Sequence, residues 1–391
     1  MRIVDVCAFY APRGGGVKTY VERKLQAGAA AGHEIIILAP AENDGVLEAK
    51  GGGRIVMMPA RRFPLDRRYS YFDDEQSLHA MLDRLQPDLV EASSPWASAA
   101  MVARWRGNVP RSLIMHADPL SAYAYRWFGS VLSRKAIDRG FDWFWRHLRR
   151  LDDSFDLVVS ASDSLTGRLR AGGLRNVLTL PMGVEPGYFS PVHRNDDLRI
   201  RLLDRCGLGP GATLLLGVGR HAPEKRWPMV IEAVTSAGYS SPVGFVLVGD
   251  GRERARVVRA AANNPHIQLL APIHDRATLA ELLASADALV HGCEAETFCM
   301  VAAEARASGL PVIVPDEGGA SDQARGAGGL LYKAAQADSL AATILDFIGS
   351  GRDVRRRHAK ISAPSVITMD EHFEKLFSTY VQFGKDNRRA A

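Results

Sequence analysis

Apolar residues in this chain fall in short runs separated by longer stretches with helical periodicity. The runs at residues 3–9, 34–38, 55–58, 89–92, 112–115, 157–160 and 177–180 read as strands. After Pro191 the alternation restarts, with runs at 213–218, 244–248, 267–270, 288–291 and 312–314. Helical segments fill nearly every interval. Strands that alternate with helices pair in parallel and are covered on both faces, so they read as continuous apolar runs. Two successive sets predict an α/β chain of two Rossmann-like, doubly wound parallel-sheet domains, 1–188 and 189–364. Residues 365–383 read as a closing helix carrying Ile367, Phe373, Leu376, Phe377 and Tyr380, followed by a frayed tail to 391. No internal repeat suggests a solenoid.

Composition narrows the class only a little. A chain of 391 residues is long enough for two domains, and 47% hydrophobic with 24% charged residues is a globular balance. Met1-Arg2-Ile3-Val4-Asp5 runs straight into a strand, without the pattern of a signal peptide. No apolar run approaches the ~18–20 residues of a spanning helix. Cys7, Cys206, Cys293 and Cys299 form no C-x-x-C pair, and no Cys/His cluster has zinc spacing. A reduced, cytoplasmic protein is expected. The net charge of +5 is unevenly spread, since residues 101–150 hold ten Lys/Arg against three Asp. Nucleic acid is not expected as the partner, because no nucleic-acid motif accompanies that patch.

In open parallel sheets, ligands sit beyond the carboxyl ends of the strands, and four motifs fall at such ends. The most informative is Glu294-Ala295-Glu296-Thr297-Phe298-Cys299-Met300-Val301-Ala302-Ala303-Glu304, after the run 288–291. Thr297 reads as an N-cap, with a helix from Phe298 to Ser308 ended by Gly309. On that helix Thr297 and Glu304 share a face, roughly 10 Å apart along the axis. Free N–H groups of the first turn suit a diphosphate, and carboxylates suit vicinal hydroxyls. Read alone, the segment is equally a surface helix with two solvated glutamates.

Three further motifs favour a ligand. Leu214-Leu215-Leu216-Gly217-Val218-Gly219-Arg220 is followed by Pro223-Glu224-Lys225-Arg226, which puts two cations suited to phosphate, Arg220 and Lys225, five residues apart. Phe245-Val246-Leu247-Val248-Gly249-Asp250-Gly251 permits a tight turn at a strand end. Arg13-Gly14-Gly15-Gly16-Val17-Lys18-Thr19-Tyr20 is a glycine-rich strand-to-helix turn, though without the G-x-G-x-x-G spacing of dinucleotide sites.

In this order, these residues resemble the glycosyltransferase family 4 pattern of retaining, nucleotide-sugar-dependent enzymes with the GT-B fold. The resemblance runs from Arg2 to about Tyr380. It takes in Leu180-Pro181-Met182-Gly183-Val184-Glu185 and Phe189-Ser190-Pro191, where the family usually reads Pro-Asn-Gly-Val-Asp. It implies an acceptor-binding first domain and a donor-binding second domain facing a central cleft, with the last helix crossing back to the first. It implies that Arg220 and Lys225 bind the donor diphosphate and stabilise the leaving group, so that no metal is required. Glu296 is then expected on donor-sugar hydroxyls and Glu304 on ribose. Backbone N–H groups at Phe298, Cys299 and Met300 would face phosphate, Gly15 and Gly16 would close on the diphosphate from the other domain, Gly249 would belong to the donor site, and the base would meet the backbone near Ile273. Cys299 stands where the family usually has glycine.

His116 and Asp118 follow the run 112–115 and resemble the family's His-x-Asp, which implies acceptor contacts. Their surroundings, with Ala92-Ser93-Ser94-Pro95, resemble members that glycosylate membrane lipids, including sulfolipid synthases and lipid mannosyltransferases. Trp127, Trp143 and Trp145 interleave with arginines in the basic region, a composition that favours anionic bilayer surfaces as much as helix packing. The expected partners are a UDP- or GDP-sugar, a lipid or lipid-linked acceptor and an anionic membrane surface, with the protein peripheral at the inner face. A soluble sugar or polysaccharide acceptor, a nucleotide-sugar epimerase or hydrolase, and a non-catalytic binding protein are the competing readings.

Overall fold

The computed structural model describes residues 1–10, 16–49, 51–62, 70–118, 120–128, 133–325 and 328–390. The chain divides into two compact units, one of Met1–Ala117, Phe128–Pro181 and Met369–Ala391, the other of Asp118–Trp127 and Met182–Thr368.

The first unit is built on an eight-stranded sheet. Its strands are β1 (Arg2–Val6), β2 (Glu34–Ala41), β3 (Gly45–Glu48), β4 (Arg54–Pro59), β5 (Leu89–Ala92), β6 (Arg111–Met115), β7 (Leu157–Ser160) and β8 (Val177–Thr179). They lie in the order β8-β7-β6-β5-β1-β2-β4-β3. Every pairing is parallel except β3 on β4 at one edge. β3 reads Gly-Val-Leu-Glu with all four residues exposed, so it carries no apolar core signal and escaped the sequence reading. Helix α1 (Gly16–Ala30) follows β1, helix α2 (Asp142–Ser154) precedes β7, and α5 (Met369–Ala390) belongs to this unit.

The second unit holds β9 (Thr213–Val218), β10 (Val243–Val248), β11 (Ile267–Leu270), β12 (Ala288–Val290), β13 (Val312–Pro315) and β14 (Leu330–Tyr332), all parallel, in the order β11-β10-β9-β12-β13-β14. Helix α3 (Trp227–Gly238) follows β9 and helix α4 (Met300–Ala307) follows β12. Successive side chains of a strand point to opposite faces, and the core divides accordingly. Leu214, Leu216, Val246, Val248, Leu289 and Val312 pack with Cys299, Ala302 and Ala305 of the α4 region on one face. Leu215, Phe245, Leu247, Val290 and Ile313 pack with Trp227, Val230 and Val234 of α3 on the other.

The strand order reverses between β9 and β12 in the second unit and between β1 and β5 in the first. At such a switch point the flanking crossovers leave on opposite faces, and a crevice opens at the strands' carboxyl ends. In the second unit those ends deliver the segments after Val218 and after Val290.

Candidate functional site

The expected helix at 298–308 begins later than its sequence suggests. α4 spans Met300–Ala307 and its N-cap is Cys299, in the left-handed region at φ 67°, with no side-chain capping bond. Thr297 therefore lies outside the helix, and Thr297 and Glu304 do not share one helical face. The cause is tertiary. Phe298 is buried, and Gly318 and Gly319 press their backbone against the loop before it. A Cβ on Gly319 would sit 2.4 Å from the Thr297 carbonyl oxygen, and the Gly319 N–H donates to the Glu296 carbonyl at 2.7 Å. The loop is held by this long-range contact, which no local capping rule can anticipate.

That loop brings Glu296 to Lys225. The Lys225 ammonium donates to Glu296 Oε1, joining the segment after β9 to the segment after β12 at the switch point. Burial opposes the charge on Lys225, yet the Glu296 carboxylate holds its pKa above the ordinary range. Burial likewise opposes ionisation of Glu296, and Lys225 with His291 overrides it, keeping the carboxyl well below the usual range. His291 Nε2 lies 3.4 Å from the same oxygen. The pair is thus charged and partly enclosed.

Arg220 leaves the end of β9 with its side chain exposed, 3.6 Å from Glu224. Next to Lys225, Arg226 adopts the left-handed region at φ 51° and grips Glu294 with Nε at 2.9 and 3.1 Å and with Nη2. Gly249 sits at φ 152° against the β9 turn, and a Cβ there would lie 2.0 Å from the Gly219 carbonyl oxygen. This close approach needs glycine whether or not a ligand is bound. Ile273 packs partly buried against the core face that includes Cys299.

Glu304 is reached by a residue that the sequence reading missed. Arg276 donates from Nη2 to Glu304 at 2.8 Å and from Nε to Glu185 at 2.9 Å, and its guanidinium lies 4.9 Å from the Phe189 ring centre. Burial raises the Glu304 pKa and Arg276 works against that rise. Arg276 is 28 residues from Glu304 and 91 from Glu185, so no local pattern could have linked them.

In the first unit His116 follows β6, with its ring edge-on to Tyr20 at 4.9 Å. Burial draws its pKa down to about 4, so at neutral pH the imidazole is uncharged and can both donate and accept. Asp118 accepts from the Leu120 and Ser121 N–H groups at 3.1 and 3.2 Å and from the Ser121 hydroxyl at 2.7 Å, capping the turn that follows. Gly16 opens α1, while Arg13, Gly14 and Gly15 lie outside the described residues. α2 buries Phe144, Trp145, Leu148 and Leu151, leaving Trp143 53% exposed. Trp145 thus belongs to the core rather than to an aromatic surface. The side chains of Arg126, Trp127, Arg134 and Lys135 lie outside those described.

Comparison with known proteins follows the same division. Residues 14–188 match the family described as Glycosyltransferase Family 4, and residues 206–363 match Glycosyl transferases group 1. A GDP-mannose-dependent alpha-mannosyltransferase of Mycobacterium tuberculosis (strain CDC 1551 / Oshkosh) is 33% identical over 82% of this chain and 81% of its own length. A GDP-mannose-dependent alpha-(1-6)-phosphatidylinositol dimannoside mannosyltransferase of M. tuberculosis (strain ATCC 25177 / H37Ra) is 31% identical over 80% and 79%. Among solved structures, a sucrose-phosphate synthase from Thermosynechococcus elongatus aligns over 98% of both chains, with a TM-score of 0.76 at 21% identity. Anabaena HepE in complex with UDP aligns over 98% of this chain and 100% of its own, with a TM-score of 0.69 at 16% identity. These likenesses give the fold as GT-B.

Proposed function

This chain belongs to the family 4 glycosyltransferases, and from that premise we propose that it moves a hexose, with retention of configuration, from a nucleotide sugar to a membrane lipid or lipid-linked acceptor, with GDP-mannose the first donor to test. The observation that carries the reading is the Lys225–Glu296 pair at the switch point of the second sheet. Support for the donor comes from the GDP-mannose-dependent relatives, and support for the lipid acceptor from the phosphatidylinositol dimannoside mannosyltransferase.

On this reading Lys225 and Arg220 meet the diphosphate as negative charge grows on the leaving group, a task for fixed cations. Glu296, released in part from Lys225, accepts from sugar hydroxyls. Glu304, oriented by Arg276, accepts from ribose. The phosphate oxygen that leaves helps take the proton of the acceptor hydroxyl on the same face, so no protein nucleophile is needed. His116, neutral at pH 7, hydrogen-bonds an acceptor hydroxyl on this reading.

The test is transfer from GDP-mannose, with UDP-glucose as competitor, to vesicles containing phosphatidylinositol lipids. Mannose is expected in the lipid fraction. A faster rate from UDP-glucose would reject the donor, and mannosylation of soluble inositol phosphate without any lipid product would reject the acceptor. Because cations already serve the diphosphate, transfer is expected to survive chelator unchanged. Activity lost in EDTA and restored by magnesium would refute that expectation.

No described helix is long and apolar enough to cross a membrane. We infer peripheral attachment at the inner, cytoplasmic face of the membrane through the first unit. There Phe9, Trp96, Phe128 and Trp143 are exposed aromatics at 37–53% accessibility, accompanied by exposed Arg146 and Arg150. Aromatic rings favour bilayer interfaces and cations favour anionic headgroups, each near-surface cation contributing about 1 kcal/mol. The protein is expected to sediment with anionic vesicles at low salt and far less with neutral ones. A combined Trp143→Ser, Arg146→Ser and Arg150→Ser variant should lose most of that binding. Equal sedimentation with both vesicle types would remove the electrostatic argument.

A further inference from the structure

We propose that His291, Glu296 and Cys299 form a binding site for a soft divalent cation of the zinc class, whose occupancy competes with the Lys225–Glu296 ion pair. One ligand atom from each residue lies within 4.8 Å of the others, so small side-chain rotations bring all three to metal-bonding distance of about 2.0–2.3 Å. The set combines an imidazole nitrogen, a carboxylate oxygen and a sulfur, leaving a fourth position open. Imidazole and thiolate suit zinc and cobalt, whereas magnesium and calcium demand oxygen donors.

A second, independent observation points to a missing partner. His291 is 1% exposed, and neither ring nitrogen makes a hydrogen bond of good geometry. Its Nε2 lies 3.4 Å from Glu296 Oε1 without hydrogen-bond geometry. A buried imidazole normally satisfies at least one nitrogen, and metal coordination through Nε2 would do so here. Cys299 holds its thiol in the core beside this ring despite the left-handed backbone, where a side chain costs roughly 1–2 kcal/mol. Binding releases the Sγ proton to solvent, forms the metal–thiolate bond and involves no change of oxidation state.

Lys225 sets the price of occupancy. A dication on Glu296 repels the ammonium, which must swing away. A metal here therefore removes the ion pair that the proposed function uses. That consequence rests on the donor reading, whereas the site itself rests on its three ligands.

The test uses the reduced protein and cobalt(II) chloride as a spectroscopic probe, displaced afterwards by zinc chloride. A thiolate-to-cobalt charge-transfer band should grow to one equivalent and vanish with zinc, while magnesium leaves it unchanged. Cys299→Gly should abolish the band without straining the backbone, and His291→Ala should weaken binding roughly tenfold or more, as loss of a ligand or its support does. Lys225→Met should tighten binding by removing the competing cation. Absence of the band in the wild-type protein, or its persistence in Cys299→Gly, overturns the site. A normal band with GDP-mannose binding indifferent to zinc keeps the site and overturns the donor placement.

Discussion

The Lys225→Ala protein is expected to fold and to transfer sugar about 100-fold more slowly than the wild type. A preorganised cation aimed at a developing oxyanion contributes about 3 kcal/mol to the barrier, and each 1.36 kcal/mol is tenfold in rate. The structure adds a second consequence. Lys225 is also the partner of Glu296, so its removal leaves a partly enclosed carboxylate beside His291 alone. Glu296→Gln with Lys225 retained separates the two effects, because it keeps the cation and removes the charge it faces. Glu304→Ala should also lose most transfer at low donor concentration. If Glu304 holds ribose as proposed, its effect should fall mainly on KM, since a group remote from the reacting centre contributes uniform binding. Far-ultraviolet circular dichroism establishes folding and steady-state kinetics give the split. Near wild-type turnover in folded Lys225→Ala would reject its assignment to the leaving group.

The second sheet was legible because parallel strands buried on both faces must be written as apolar runs. The runs at 213–218 and 267–270 coincide with β9 and β11, and those at 89–92 and 157–160 with β5 and β7. β3 was not legible, for the converse reason: an exposed antiparallel edge strand needs no apolar run. β14 (Leu330–Tyr332) lies at the other sheet's edge with Leu331 exposed, so it too lacks a buried apolar run. At the site, the chain order identified Lys225, Glu296 and Glu304 as chemically suitable residues but not whom they would meet. Arg226 finds Glu294 from 68 residues away and Arg276 finds Glu304 from 28. The helix start at Met300 shows the same limit. Thr297 obeys the local capping preference, but packing by Gly318 and Gly319 prevails.

The first sheet carries a signal of another kind, and from it comes the largest expected effect on stability. Asp5 and Glu91 interrupt the apolar runs of β1 and β5, and they are direct partners in the parallel ladder. Two carboxylates facing each other in a dry sheet require a cation, and α1 supplies it: Lys24, 0% exposed, donates to Asp5 at 3.0 Å and to Glu91. Burial opposes the charge on Lys24, but the two carboxylates raise its pKa above the ordinary value. Tyr380 of α5 completes the cluster, donating to Glu91 at 2.6 Å and lying 3.0 Å from the Ser112 hydroxyl. Removing one partner of a buried ion pair leaves the other charge uncompensated and costs about 3–5 kcal/mol. Lys24→Met should therefore lower the stability of the first unit by that amount, measured as the shift of its urea unfolding midpoint. Glu91→Gln added to Lys24→Met should recover part of the loss, because groups in one network couple non-additively. Tyr380→Phe should cost less, about 1–3 kcal/mol, since it leaves one acceptor unsatisfied rather than a charge unpaired. A Lys24→Met protein within 1 kcal/mol of the wild type would refute the role of this buried ion pair in holding the first sheet.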